Sequence, residues 1–269
     1  FLSNEIFSKE FDLHKPFVDD IILVSASGKP MKRESDLIDV WFDSGAMPYA
    51  QWHFPFENVE TFKQSFPADF IAEGVDQTRG WFYTLHAIAT MLFDTVAYKN
   101  VVSNGLVLDK NGNKMSKSKG NAVDPFITID KYGADVTRWY MISNSQPWDN
   151  LKFDEEGLAE TSRKLFGTLY NTYNFFAIYA NIDGFTIDKN NITPLAERAE
   201  IDRWVISKLH SLIKEVTESY EEYEPTKAAR AVEDFVIEHL SNWYVRLCRR
   251  RFWGNELSQD KKAAFETLH

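Results

Sequence analysis

Lys114-Met115-Ser116-Lys117-Ser118-Lys119-Gly120-Asn121 is the stretch from which the rest of the chain is read. It follows residues 101–108, whose valines and leucines predict a strand. Between them, Asp109-Lys110-Asn111-Gly112 contains an Asn-Gly pair that predicts a tight turn. A helix is expected after Asp124-Pro125, because proline suits the first helical position. Three lysines, two serine hydroxyls and a flexible Gly-Asn pair therefore share one surface loop. Such a loop suits a polyphosphate: lysines supply point charges, while hydroxyls and backbone N–H groups donate hydrogen bonds. A bare lysine cluster is more often a solvated basic loop. The order Lys-Met-Ser-Lys-Ser, with Asn-Gly before it and Gly-Asn after it, is much more specific.

Upstream, residues 67–72 predict another strand, which runs into Glu73-Gly74-Val75-Asp76-Gln77. A helix is expected over 78–93, with Phe82, Leu85, Ile88, Ala89 and Leu92 at the three-four spacing of a packed face. Strand, polar turn and helix start form half of a β-α-β unit. Glu73, Asp76 and Gln77 cluster where the chain turns, and three polar side chains there can hold ribose hydroxyls and an ammonium group. Asp76 also suits the helix N-cap, and the two readings are compatible. Residues 37–45 read as a short buried strand ending at Asp-Ser-Gly. Ligand sites in open parallel sheets lie at the carboxyl ends of strands, so Trp41 is placed either to wall a pocket or to fill the core. Residues 17–24 followed by Ser27-Gly28-Lys29-Pro30 suggest a strand and then a turn, without chemistry, and the aromatic stretch 51–66 reads as packing and loop.

Downstream, short helices are expected over 127–132 and 135–142, separated by Gly133, and the polar stretch 144–150 marks a boundary. Three long amphipathic patterns follow. Leu158, Leu165, Leu169, Tyr173 and Phe176 stripe the first. Ile201, Trp204, Val205, Leu209, Leu212, Val216 and Tyr220 stripe the second. Ala228, Val232, Phe235, His239, Trp243 and Leu247 stripe the third. The expectation is a helical bundle. It ends in Arg246, Arg249, Arg250 and Arg251, close enough together to leave at least two on an open face. Those suit phosphate contacts or, equally, a solvated helix end.

Composition narrows the function classes. The apolar fraction of 44% is ample for a core in 269 residues. No apolar run reaches about 18 residues, so no membrane-spanning helix is expected. The first 11 residues carry no leader pattern, and the start at Phe1 suggests a piece of a longer protein. The single cysteine, Cys248, allows neither an internal disulfide nor a cysteine-built zinc site. The net charge of −10 argues against generic nucleic-acid binding but permits a local basic patch.

Taken together, DVWFDSG (39–45), EGVDQTRGWFYTL (73–85), NGLVLDKNGNKMSKSKGN (104–121) and the trailing DP…KYGAD (124–135) resemble the isoleucyl-tRNA synthetases, class I aminoacyl-tRNA synthetases. The DQTRGWFYTL order separates that family from its valyl and leucyl relatives. The resemblance extends through Asp202-Arg203-Trp204 and Asn242-Trp243-Tyr244 and covers nearly the whole chain. It implies an α/β Rossmann-type half domain followed by an all-α helical bundle. Residues 1–36 would be the tail of an inserted region, 37–150 the second half of the catalytic domain, and 151–269 an incomplete anticodon-binding domain.

The resemblance also implies the chemistry. ATP, with Mg²⁺, and isoleucine would give isoleucyl-adenylate and pyrophosphate, and the isoleucyl group would pass to tRNA(Ile). Lys114 and Lys117 would be catalytic, holding the phosphates beside Ser116 and Ser118. Glu73, Gly74 and Asp76 would bind the adenylate, Gln77 the amino group, and Trp41 and Trp81 the side chain. Arg246, Arg249, Arg250 and Arg251 would face tRNA. No protein-bound zinc, no membrane, a monomer and a cytoplasmic location are expected. The His-x-Gly-His element of the family is absent, since none of the six histidines has that spacing. The chain by itself is therefore expected to be inactive. The alternatives are a non-catalytic tRNA-binding or regulatory paralogue, and a plain nucleotide-binding domain.

Overall fold

Local turn chemistry shapes the first described stretch. The computed structural model describes residues 14–254 and 256–269, so the reading of the first 11 residues lies outside it. The strand expected over 17–24 is instead a 3-10 turn, Phe17–Asp20, and a two-residue strand β1 (Leu23–Val24). It pairs antiparallel with β2 (Pro30–Met31), with Gly28 in the intervening turn at φ 79°. The chain divides into two units, Phe1–Asp69 with Thr78–Lys99, and Phe70–Gln77 with Asn100–His269.

In the first unit, the apolar run at 37–45 does not form the expected strand. It forms helix α1 (Val40–Gly45), because the Asp39 carboxylate accepts the Trp41 N–H at 2.7 Å as an N-cap. Periodicity cannot separate helix from strand in so short a run, and Leu37, Ile38 and Val40 are exposed rather than buried in a sheet. Helix α2 (Met47–Ala50) follows, and α3 (Val59–Ser65) forms within the 51–66 stretch expected to be packing and loop. Phe62 of α3 stacks on Phe54 and Phe66 at centroid distances of 4.2 and 5.0 Å.

Strand β3 (Ala68–Gly74) leads through a 3-10 turn, Val75–Arg79, into α4 (Trp81–Phe93). Phe82, Leu85, Ile88 and Ala89 are buried as expected, whereas Leu92 is exposed. Gly45 brings α1 against α4: a Cβ there would lie 2.8 Å from Ile88 Cδ1. Strand β4 (Tyr98–Asn104) neighbours β3 in one sheet, which gives the β-α-β order. The strand expected over 101–108 is broken at Gly105, whose N–H donates to Pro147 O at 2.8 Å, and resumes as β5 (Val107–Leu108).

The second unit continues with α5 (Pro125–Tyr132), whose N-cap Asp124 accepts the Phe126 N–H at 2.8 Å. Gly133 at φ 88° separates it from α6 (Ala134–Asn144). A strand the sequence reading did not anticipate, β6 (Leu151–Lys152), pairs parallel with β5 in the register Val107↔Leu151 and Leu108↔Lys152. Val136, Tyr140, Leu151, Phe153 and Leu158 form a small core beneath it.

The helical part comprises α7 (Glu155–Thr161), α8 (Gly167–Ile182), α9 (Glu200–Glu221), α10 (Pro225–Asp234), α11 (Arg246–Trp253) and α12 (Gln259–Leu268). Its core gathers Phe235, Tyr244, Cys248, Phe252 and Phe265, so Cys248 packs within a helix as expected. The second expected stripe holds at Val205 but leaves Leu209 and Tyr220 exposed, and the first and third slip. A π-helical stretch, Ser162–Phe166, joins α7 to α8, and another, Phe235–Val245, joins α10 to α11. Each π turn holds an extra residue, and one residue turns the buried face by about 100°. Leu169 and Tyr173 are consequently exposed, while Thr172 and Ala180 are buried. Likewise Trp243 and Leu247 are exposed, while Tyr244, Val245 and Cys248 are buried. No helix among the described residues is long and apolar enough to cross a membrane.

Candidate functional site

The lysine loop leaves β5 through a turn built around Asp109. The Asp109 N–H donates to Asn113 O at 2.9 Å, and Gly112 takes φ 84°. Asp109 Oδ1 accepts the N–H groups of Asn111 and Asn113 at 3.0 and 2.8 Å. Met115 packs against the small core that holds Tyr140 and Leu158. Ser116 caps a 3-10 turn, Lys117–Lys119, its hydroxyl accepting the Lys119 N–H at 3.3 Å and lying 3.2 Å from Ser118 Oγ. Lys114, Lys117 and Lys119 are exposed, and none forms an ion pair among the described residues. Three uncompensated cations thus stand on a turn with defined geometry, an arrangement suited to a polyanion.

The Gly-Asn pair expected to be flexible is held. Asn121 Nδ2 donates to Asp109 Oδ2 at 2.9 Å, and Asn121 Oδ1 accepts the Ser116 N–H at 2.9 Å. These two residues are what sequence reasoning missed; the signal available was an Asp opening the turn and an Asn closing the loop. The Asn121 amide first, and then the Asn113 N–H, hold the Asp109 carboxyl below its ordinary value. A carboxylate with a lower pKa in the folded state stabilises fully above its unfolded value, near about 3.9, and loses that effect as pH falls through the folded value. Carboxyl NMR should therefore show Asp109 titrating below ordinary aspartates, with loop resonances shifting only in that lower window.

Glu73 and Gly74 end β3, and Asp76 and Gln77 occupy the following 3-10 turn. Gln77 Nε2 donates to Asp76 Oδ2 at 3.1 Å. Gly74 leaves room for the Asp76 carboxylate as it stands, since a Cβ there would lie 2.6 Å from Asp76 Oδ1, an exposed side-chain tip. Asp76 is not the cap expected for the long helix: the N-cap of α4 is Gly80, which makes no side-chain cap bond, because the 3-10 turn intervenes. Glu73 and Asp76 are exposed, and Gln77 is half-buried.

Trp41 and Trp81 belong to the first unit. The Trp81 Nε1–H donates to Ser44 O at 2.9 Å, which ties it to α1, the helix that carries Trp41. Trp41 itself is 45% exposed, so it is not the core tryptophan of a buried strand.

The arginine cluster divides. Arg246, Arg249 and Arg250 are exposed. Arg251 is turned inward, a correction to its expected place among free phosphate-binding groups. Its Nη1 and Nη2 donate to the two carboxylate oxygens of Asp202 at 2.6 and 2.8 Å, and its Nε donates to Asp260 at 2.9 Å. Asp202 is fully buried and also accepts the Tyr244 hydroxyl at 2.8 Å. Burial alone pulls the Arg251 pKa down, but hydrogen bonds to Asp202 and Asp260 outweigh it and the net shift is upward. Burial, then the Asp202 charge, push the Tyr244 phenol well above its ordinary value, so it remains a neutral donor.

The family model of class I tRNA synthetases (I, L, M and V) matches residues 4–154, and that of the anticodon-binding domain of tRNA ligases matches residues 202–269. A protein of Cytophaga hutchinsonii named isoleucine–tRNA ligase is 69% identical over 96% of this chain and 23% of its own length. One of the same name from Bacteroides thetaiotaomicron is 69% identical over 97% of this chain and 22% of its own length. The chain thus spans under a quarter of the length of these curated relatives. The solved structure of Mycobacterium tuberculosis methionyl-tRNA synthetase in complex with methionyl-adenylate aligns at TM-score 0.69 and 22% identity, covering 85% of this chain and 44% of that one. The expected α/β half domain followed by a helical bundle agrees with that shared fold. By its sequence match over more than half its length, the chain belongs to the class I tRNA synthetases of the I, L, M and V group.

Proposed function

We propose that the full-length protein carrying this chain is an isoleucine–tRNA ligase. The observation that carries the reading is the 69% identity, over 96% of the chain, to a protein of that name. In this reading ATP binds as its Mg²⁺ complex. An isoleucine carboxylate oxygen attacks the α-phosphorus of ATP, pyrophosphate leaves, and the isoleucyl group then passes to the terminal adenosine of tRNA(Ile).

Lys114 and Lys117 hold the phosphates, with Lys117 nearest the charge that develops in the transition state. Ser116 and Ser118 shape the same loop. Positioned cations that meet developing charge supply electrostatic catalysis without a protein nucleophile. Glu73, Gly74 and Asp76 receive the adenylate ribose, and Gln77 the isoleucine ammonium. Trp41 and Trp81 wall the side-chain pocket. Arg246, Arg249 and Arg250 contact tRNA phosphates, and Arg251 anchors the helix that presents them. Residues 37–150 serve the catalytic domain, 151–269 begin the anticodon-binding domain, and 1–36 return from an inserted region. The protein works as a cytoplasmic monomer.

Pyrophosphate exchange by the full-length protein, screened across the amino acids, tests the reading. Isoleucine is expected to support exchange, and valine to support it more weakly. Lys117→Ala should lower kcat by about 10²–10³-fold and leave the KM for isoleucine little changed. Folded protein that exchanges with no amino acid would give the non-catalytic tRNA-binding paralogue preference.

A further inference from the structure

The lysine loop is closed at its base by two side chains, Asp109 and Asn121, with the cations held between them. Asp109 faces donors on every side: the N–H groups of Asn111 and Asn113, the Asn113 side-chain amide at 3.3 Å, and the Asn121 amide at 2.9 Å. Asn121 reaches back across the loop. Its Nδ2 serves Asp109 Oδ2 and, at 3.3 Å, Lys114 O, while its Oδ1 takes the Ser116 N–H. The exit of the loop is thereby tied to its entry on both sides of Met115, which is itself packed on the core below. Gly120, at φ 67° with open space around it, lets the chain turn back to bring Asn121 into place. Residues 117–119 are left exposed at the tip, with their backbone direction fixed from both ends.

We propose that Asp109 and Asn121 form a latch that preorganises the lysine loop for the phosphates of ATP, which makes both of them positioning residues for adenylate formation. The inference rests on the ATP-dependent reading above. An exposed loop free to wander loses freedom when it grips a ligand, and ordering it beforehand removes that cost from the reaction. The polarity of the pair is specific. Asp109, a carboxylate at neutral pH, only accepts. Asn121 must donate to Asp109 while accepting from Ser116.

That polarity provides the test, in the full-length protein. Asp109→Asn sets amide donors against donors, whichever way its amide is turned. Asn121→Asp sets two carboxylates face to face. The swapped double variant, Asp109→Asn with Asn121→Asp, restores one donor and one acceptor. Two weaker contacts, each of 3.3 Å, are not restored: Asn121 to Lys114 O and the Asn113 side-chain amide to Asp109. Each single variant is expected to lose about 10-fold in kcat/KM for ATP in isoleucine-dependent pyrophosphate exchange, with the KM for isoleucine unchanged. The swap should recover to within about 3-fold of the wild type. Hydrogen exchange of the Ser116 amide should follow the same order: protected, lost in the singles, restored in the swap. If a single variant folds poorly, the swap carries the test, since it alone keeps the pair. Wild-type rates in both single variants, or a swap no better than the product of the two losses, overturn the latch while the functional reading stands. Absence of isoleucine-dependent exchange in the wild-type protein removes that reading and the positioning role with it.

Discussion

Arg251→Met is expected to lower the stability of the helical bundle by about 3–5 kcal/mol, because it leaves a buried carboxylate without its cation. Asp202 is fully buried on α9 and receives the Arg251 guanidinium on both oxygens, together with the Tyr244 hydroxyl. Methionine fills similar space but cannot answer the charge. Tyr244 supplies one hydrogen bond, which does not replace a cation. The residue is also the point where α9, α11 and Asp260 on α12 are fastened together, so the loss extends beyond one contact. Urea unfolding followed by circular dichroism at helical wavelengths measures it. Adding Asp202→Leu should return much of the stability, since removing both charges also removes the cost of burying them. A loss under about 1 kcal/mol would show that the pair behaves like an exposed ion pair. Arg246→Ala, on the exposed face of the same helix, should leave stability within about 0.5 kcal/mol.

Gly105→Ala is expected to have the next largest effect. A Cβ at this position would lie 2.2 Å from Asp149 O and 2.4 Å from its carbonyl carbon. Both are backbone atoms, so relief requires the strands to part rather than a side chain to turn aside. The bonds at risk are Gly105 N–H to Pro147 O at 2.8 Å, Leu106 N–H to Asn150 Oδ1 at 2.8 Å and Leu151 N–H to Leu106 O at 2.9 Å. Overpacking of this kind costs about 1–3 kcal/mol or more. Because β5 runs directly into Asp109, the disturbance reaches the base of the lysine loop. Amide hydrogen exchange should show lost protection at Leu106, Leu151 and Phe153, and pyrophosphate exchange by the full-length protein should fall with it. Gly254→Ala is the control: nothing lies within 4 Å of its Cβ position, and its φ of −61° suits alanine. Unchanged protection in Gly105→Ala would show that Asp149 yields without breaking the β5–β6 pairing.

Much of the site was legible because its chemistry is local. The Asn-Gly turn, the Asp124-Pro125 helix start and the order of the lysine loop each depend on neighbours within a few residues, and each appears where expected. The same holds for the inward face of α4 at Phe82, Leu85, Ile88 and Ala89. The short run at 37–45 was misread for a related reason. Its apolar residues suit a strand, and only the Asp39 cap, a single hydrogen bond, decides for a helix.

What the sequence by itself determined, then, is the family, the β-α-β order around the polar turn, and the loop that carries Lys114 and Lys117. The tertiary structure alone decided three other things. It set which residues of the long helices face inward, because the two π-helical stretches shift the buried face and no periodicity reveals where an extra residue enters a turn. It drew Arg251 away from its neighbours to Asp202, 49 residues earlier, since a buried carboxylate needs a cation wherever the fold can supply one. It also closed the lysine loop with Asn121 on Asp109, a bond across 12 residues whose partners are fixed by where the chain returns in space.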